Sequence, residues 1–559
     1  MERLMKVFNK EFSKIGEAAV VLAFFTLLSQ FLGIFRDRYL AGNIGTGEIL
    51  DIYYAAFRVP DLLFTLGASL VSVSILMPYF TKQLQHSQEK ARLFINNIFT
   101  VFFIFMTVLS IIAFILMPYF SKILFSGLAA DAISEITLLS RVMLLSPILL
   151  GISNLYATIT QAFKKFFVYA LAPVFYNIGI ILGIVVFYPL FGILGLAYGV
   201  VLGALLHMLI QLPVVARQGF LPKFSFSIVW ENISEVIKHS LPRTITLSLS
   251  KIVFLIFVGI ASTLVAGTIS IFNLSYNLQS VPLAIIGVSY SVAAFPILVD
   301  YFNSKNYQEF MAHVMGPIRQ IVFWSLPVIS LFVVLRAQIV RVVLGTGNFD
   351  WSDTRLTAAS LALFIISVVA QSIVLLLIRA YYASGKTWKP LWITLVSSAV
   401  TVIFAYLFLY LFSAFTEIQK FFEVLLRIEG VEGSSVIMLS LAFSMGMFLN
   451  LYLLWASFKR DFEYKPGLYG IRKSFFQSLV ASFIMGVSTY IMLNVSSSIF
   501  SSETTLGVLG HGFISGIFGI VLGVLFLVTI KNNETLVFVQ LIKKSLWNTK
   551  TVGTIHGDM

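Results

Sequence analysis

A chain of 559 residues that is 58% hydrophobic and only 11% charged, with a mean hydropathy of +0.94, does not have the make-up of a soluble domain; it has that of a polytopic membrane protein. It has no cysteine, which excludes disulfides, cysteine-held zinc, iron–sulfur clusters and thiol nucleophiles, and its six histidines show no metal-ligand spacing. The net charge of +13 points to cytoplasmic-loop orientation signals and anionic lipid rather than to nucleic acid.

The first stretch, residues 1–16, is basic and amphipathic and lacks a small-x-small cleavage pattern, so no cleaved signal peptide is expected there. Fourteen apolar segments of membrane-spanning length follow, at about 17–40, 49–80, 92–120, 136–163, 166–188, 191–215, 238–262, 267–300, 311–343, 356–384, 389–413, 434–458, 472–496 and 504–531. The first two carry a concentration of charge: Arg36, Asp37, Arg38, Asp51, Arg58 and Asp61. An ionisable side chain in hydrocarbon costs several kcal/mol, about 2.5–3.5 on insertion scales, unless it lines a polar cavity. The cluster therefore predicts an internal, water-filled cavity; snorkelling to the interface or mutual pairing is the alternative for any single member. Lys251 lies deep in the seventh segment, where it could add positive charge to the cavity. Arg243, near the start of that segment, and Arg379, near the end of the tenth, read as gate or interface residues.

Further along, a break near 220–235 divides the first twelve segments into two groups of six. Arg58-Val59-Pro60 in the second segment and Ser280-Val281-Pro282 in the eighth hint at duplication, a recurring plan among transporters. The connection 414–435 has mixed charge and predicts an external amphipathic helix, and Leu536 to Trp547 predicts another on the inner surface. Lysines and arginines concentrate in alternate loops, which with an even helix count places both termini in the cytoplasm. No nucleophile–base spacing, phosphate loop or metal box is present to suggest an enzyme.

Phe31-Leu32-Gly33-Ile34-Phe35-Arg36-Asp37, followed by Asp51 through Leu63 with Arg58-Val59-Pro60-Asp61 inside it, resembles the opening of the MurJ/MviN family of lipid II flippases, within the multidrug/oligosaccharidyl-lipid/polysaccharide exporter superfamily. Ala172-Pro173-Val174-Phe175-Tyr176-Asn177, Gly347 to Thr357, and Arg379-Ala380-Tyr381-Tyr382-Ala383 with Lys386 to Pro390 agree with the same family in order and spacing. The resemblance implies an all-α membrane protein of about fourteen transmembrane helices, with two pseudo-symmetric six-helix lobes in a V plus two C-terminal helices. Carried onto this chain, it implies a first lobe at 1–219, a second lobe from 220–413 and 436–465 with the external loop 414–435 between, a lipid-tail groove from 466–531, and a cytoplasmic tail at 532–559. It further implies a flippase of the plasma membrane for peptidoglycan synthesis, moving undecaprenyl-pyrophosphate-linked lipid II outward by alternating access, with Arg36, Asp37, Asp51, Arg58 and Lys251 in the substrate cavity. A monomer in contact with membrane lipids and with cell-wall synthesis proteins is the expected assembly, with no cofactor and no metal.

The departures from the family pattern are specific. Gln30 stands where an arginine is usual, Phe64, Thr65 and Ser69 where basic residues and then an acid follow the Leu62-Leu63 of helix two, and Asn277 and Ser280 where helix eight carries an arginine and a glutamate. Helices seven and eleven hold no carboxylate for the sodium coupling proposed in the family; helix eleven offers Thr394, Ser397, Ser398 and Thr401. Resetting by the membrane potential is the alternative driving force. The missing charges keep two other readings open, a flippase for another polyprenyl-linked glycan and a non-transporting scaffold of the same fold.

Overall fold

A computed structural model describes residues 15–68, 70–462, 470–498, 500 and 504–536. Helix accounts for all the regular structure among them, with no strand. In lipid every backbone N–H and C=O has to be satisfied within its own segment, and the helix does this. Among the described residues eleven helices are long and apolar enough to cross a membrane, or twelve if one bent pair counts as a single span, against the fourteen expected. The second is the clearest shortfall, because it is divided into three short helices. Residues 1–14 of the expected basic segment 1–16, and the expected inner-surface helix beyond Leu536, lie outside the described residues.

The described residues fall into two compact units that interleave along the chain. The first comprises those of Met1–Leu278, Val343–Ser360 and Lys386–Asn450. It opens with α1 (Ile15–Ile44), then α2 (Glu48–Ala56), α3 (Arg58–Ala68) and α4 (Val73–His86), which replace the second span. Pro60 has no N–H, so the carbonyl of Ala56 loses its donor four residues on. The hydroxyl of Ser140 donates to that carbonyl instead, at 3.0 Å and fully buried. The long α5 (Gln88–Leu124), α6 (Ala130–Met143) and α7 (Leu145–Ala162) pack around these pieces. Val59, Leu63, Phe80, Phe102, Met106 and Leu155 form their common core.

Next come α8 (Phe166–Leu182), a π turn at Gly183–Phe187, α9 (Tyr188–Phe191) and α10 (Ile193–Leu209). Apolar burial gives little drive between helices already in lipid, so close van der Waals approach has to hold them. The α8–α10 pair achieves it with facing glycines. A Cβ on Gly183 would stand 2.6 Å from the Cα of Gly199, and one on Gly179 would fall on the backbone of Gly203. The unit continues through α11 (Leu212–Arg217), α12 (Trp230–Ala261) and the first turns of α13 (Thr268–Leu283). Its later parts are the turn Thr346–Phe349, α19 (Trp388–Ala414), the expected amphipathic α20 (Thr416–Leu426) and the first half of α21 (Val436–Asp461). The turn is stitched to the end of α1: Asn348 donates its backbone N–H to Gly42 O at 2.8 Å and its side-chain amide to Asn43 O at 2.9 Å. Gly347 has φ +53 there, with its Cα against the Gly42 carbonyl, a place only glycine fills without strain.

The second unit comprises the described residues of Gln279–Val342, Leu361–Gly385 and Leu451–Met559. It holds the π turn Ala284–Val288, α14 (Ser289–Asn303), α15 (Tyr307–Val334), α22 (Ile471–Ser496) and α23 (Thr505–Thr529). It also takes most of α16 (Arg336–Leu344), the end of α17 (Trp351–Ile366) and α18 (Val368–Ala383), the last two bent by 42° at Ser367. Phe323, Ala481 and Leu527 centre its α15–α22–α23 core. The α23 glycines act as packing residues: Gly519 and Gly523 face Met485 and Thr489 of α22. Beyond α23, Glu534 is buried against Arg319 of α15 at 2.7 Å, which fixes the chain where the last span ends.

Gly179→Val is expected to lower the stability of the purified protein by about 1–3 kcal/mol, the cost of overpacking a filled contact. Gly316→Ala in α15, where nothing lies within 4 Å of the added methyl, is the control and should leave stability equal or higher. Thermal unfolding in detergent measures both, and equal midpoints for Gly179→Val and the parent chain would contradict the packing argument.

Candidate functional site

Inside the first unit α1, α2, α3, α12 and α13 enclose a cavity of about 260 Å³. Its wall carries three cations, Arg36, Arg58 and Lys251, and two carboxylates, Asp37 and Asp61. Tyr53, Tyr54, Tyr276 and Phe254 provide aromatic faces, and Asn273 and Asn277 provide amides.

Each charge is held by its local fold. Arg36 and Asp37 are neighbours on α1, so the guanidinium folds back on the carboxylate, Nε at 3.0 Å and Nη2 at 2.8 Å from Oδ1. Its third arm, Nη1, donates to Asn177 Oδ1 on α8 at 3.3 Å. Asn177 donates in turn to the Ser29 hydroxyl at 3.2 Å and to Pro173 O at 3.1 Å, the carbonyl four residues back on α8. The other oxygen of Asp37 accepts from Asn277 Nδ2 at 3.0 Å. Arg58 opens α3, one residue past the end of α2. It reaches back to Tyr54 O at 2.9 Å, donates to Asn273 Oδ1 at 2.6 Å and lies 4.8 Å over the Phe254 ring. Lys251 reaches from α12 to Asp61 on α3, 2.7 Å from Oδ2.

Four of the five residues expected in the cavity therefore line it: Arg36, Asp37, Arg58 and Lys251. Asp51 does not. It is 2% exposed, and its two oxygens accept the backbone N–H groups of Gly267 and Ser270, each at 2.7 Å. These groups sit at the start of α13, where helix N–H donors have no partner of their own and the dipole favours an anion. Asp51 is thus a helix cap supplied from a distant helix. Arg379 lies in the second unit, with its guanidinium 6.0 Å over Phe295. Arg243 is on α12, and its side chain lies outside the described residues.

Sequence reasoning missed Asn273 and Tyr54 and read Asn277 only as a lost charge. A buried amide in an apolar helix was the available signal, since such groups need a polar partner.

A profile of the family described as "Lipid II flippase MurJ" matches residues 40–509. The chain belongs to the MurJ family of lipid II flippases. It is 28% identical over 464 residues to a probable lipid II flippase MurJ of Bdellovibrio bacteriovorus, covering 81% of this chain and 83% of that one. It is 25% identical over 402 residues to the lipid II flippase MurJ of Burkholderia cenocepacia, covering 70% and 78%. Among solved structures, a lipid II flippase MurJ described as inward closed superposes with a TM-score of 0.71 at 20% identity, over 94% of this chain and all of that one. A multidrug-resistance MATE transporter of the MOP superfamily superposes at 0.62 and 16% identity, over 80% and 100%. The two likenesses show the fold: an all-α membrane protein of the MurJ and MOP-superfamily type. Asn277, which stands where the resemblance implies an arginine, is bound through its amide to Asp37.

Asp51→Ala is expected to lower stability by about 1–3 kcal/mol, since it leaves two buried N–H groups unpaired. Asp51→Asn, which keeps one acceptor oxygen, should fall between it and the parent in thermal unfolding. A parent-like midpoint for Asp51→Ala would show that the cap contributes nothing.

Proposed function

We propose that this chain is a lipid II flippase, carrying the undecaprenyl-pyrophosphate-linked precursor from the inner to the outer leaflet by alternating access. The observation that carries this reading is the cation-lined cavity of Arg36, Arg58 and Lys251 among membrane-spanning helices. A diphosphate crossing about 30 Å of hydrocarbon must exchange its hydration for fixed donors. The forked guanidinium suits it, because two parallel N–H bonds match paired phosphate oxygens. Asp37 and Asn177 hold Arg36 in one orientation, so the cation is placed before the substrate arrives. Asn277 and Asn273 occupy the donor and acceptor sites beside the two arginines, which supports a neutral hydrogen-bonding wall in place of further charge.

In this reading the protein is a multi-pass component of the bacterial plasma membrane with both termini in the cytoplasm, acts as a monomer and is no enzyme. It takes no cofactor, and the membrane potential acting on its cationic cavity resets it. The amide at Asn277 also favours a second reading, in which the lipid carries a different glycan on the same diphosphate. Complementation of a strain depleted of its lipid II flippase separates the two. Rescue is expected, with precursor appearing on the outer leaflet, and Arg36→Ala and Arg58→Ala should each abolish it while the protein remains in the membrane. Absence of rescue by the parent chain moves the assignment to another polyprenyl-linked glycan. Full rescue by Arg36→Ala overturns the role given to that arginine.

A further inference from the structure

The cationic cavity is not isolated. Ser250 and Lys251 also line a second compartment of about 690 Å³ in the same unit. Its walls differ in kind. Asn154, Gln161, Tyr169 and Thr65 supply neutral hydrogen-bonding groups, Phe64 and Met77 supply apolar faces, and Lys251 is the one charged residue on it among those described. The smaller compartment has room for a pyrophosphate-sized group and not for a disaccharide as well, while the larger falls within the roughly 300–1,000 Å³ of small-molecule sites. Lys251 belongs to both walls.

The three cations are not held alike. Arg36 makes three hydrogen bonds and Arg58 makes two while stacking on Phe254. Among the described residues Lys251 is hydrogen-bonded to Asp61 alone, and both side chains are open to solvent, 43% and 26% exposed. An exposed pair of this kind is weak, because water competes for both charges. Lysine is a point charge with three donors on a flexible stem, so it changes partner without a fixed geometry to lose. A diphosphate brings more negative charge to the same ammonium than one carboxylate does.

We propose that the head of the substrate is shared between these two joined compartments: its diphosphate takes Lys251 Nζ over from Asp61 in the cationic one, and its uncharged sugars lie against Asn154 and Gln161 in the neutral one. Asp61 is then a placeholder anion. It offsets the charge of Lys251 in the empty cavity and competes with substrate for it. This rests on the reading of the chain as a lipid II flippase and assigns the parts of that substrate to places.

Binding of two probes to the purified full-length protein in nanodiscs tests it: lipid II, and undecaprenyl diphosphate, which has the tail and diphosphate but no sugar. Lys251→Ala should weaken both by roughly tenfold, the factor expected for one charge-assisted hydrogen bond, and Lys251→Arg should restore them. Asp61→Asn should tighten both several-fold, the opposite direction. A pair that only braces α3 against α12 would make Asp61→Asn and Lys251→Ala weaken binding together, and that result, or no change in either, overturns the exchange. Asn154→Ala with Gln161→Ala should weaken lipid II while undecaprenyl diphosphate binds as before; equal loss on both, or none on lipid II, overturns the sugar assignment. If the parent chain binds neither probe, the flippase reading itself fails and this one with it. If it binds both and Asn154→Ala with Gln161→Ala does not separate them, only the division between compartments fails.

Discussion

A charge among membrane helices has to be answered on every side, and the first unit is arranged around that requirement. Arg36 is the clearest case. Its guanidinium is held by Asp37 from the same helix and by Asn177 from α8, and Asp37 is bound in turn by Asn277 from α13. Three helices from distant parts of the sequence are thereby tied to one cation, and the cavity is the space this network leaves on its open side. Were any of these groups left unpaired, its lost hydration would weigh against the fold.

The same accounting explains the broken second span. An unbroken helix through residues 48–86 would bury Asp51, Arg58 and Asp61 without turning each toward a partner. Dividing the segment at Phe57 allows Asp51 to cap α13 while Arg58, seven residues later, faces the cavity. Pro60 forces the loss of one backbone bond at that break, and Ser140 supplies the replacement. The break at Phe57 is thus compensated by a side chain from elsewhere, as irregular backbone at membrane depth requires.

Packing between helices follows a separate rule. The α8–α10 and α22–α23 pairs meet through glycine, because in lipid the contact itself has to provide the attraction. These close pairs stiffen the scaffold on which the polar network is mounted. By contrast Lys251 and Asp61 stand in accessible space, and among the described residues theirs is the cavity ion pair whose partners are both open to solvent.

The sequence by itself determined the class of protein. Apolar runs of spanning length, the charges in the first two and the Phe31–Asp37 and Asp51–Leu63 strings were enough to fix an all-α membrane fold and the family, because hydropathy and motif order are local properties. It also named Arg36, Asp37, Arg58 and Lys251, since a charge in an apolar run is conspicuous wherever the chain folds. The tertiary structure decided what each charge touches. Asp51 looked no different from Asp37 in the sequence, yet one caps a helix more than two hundred residues away and the other lines the cavity. Asn273 stood out in no way as a letter and Asn277 only as a missing charge, and they became partners of Arg58 and Asp37 when α13 was laid beside α1 and α3. A side chain's partner is set by which helices pack together, and periodicity along one helix carries no information about that.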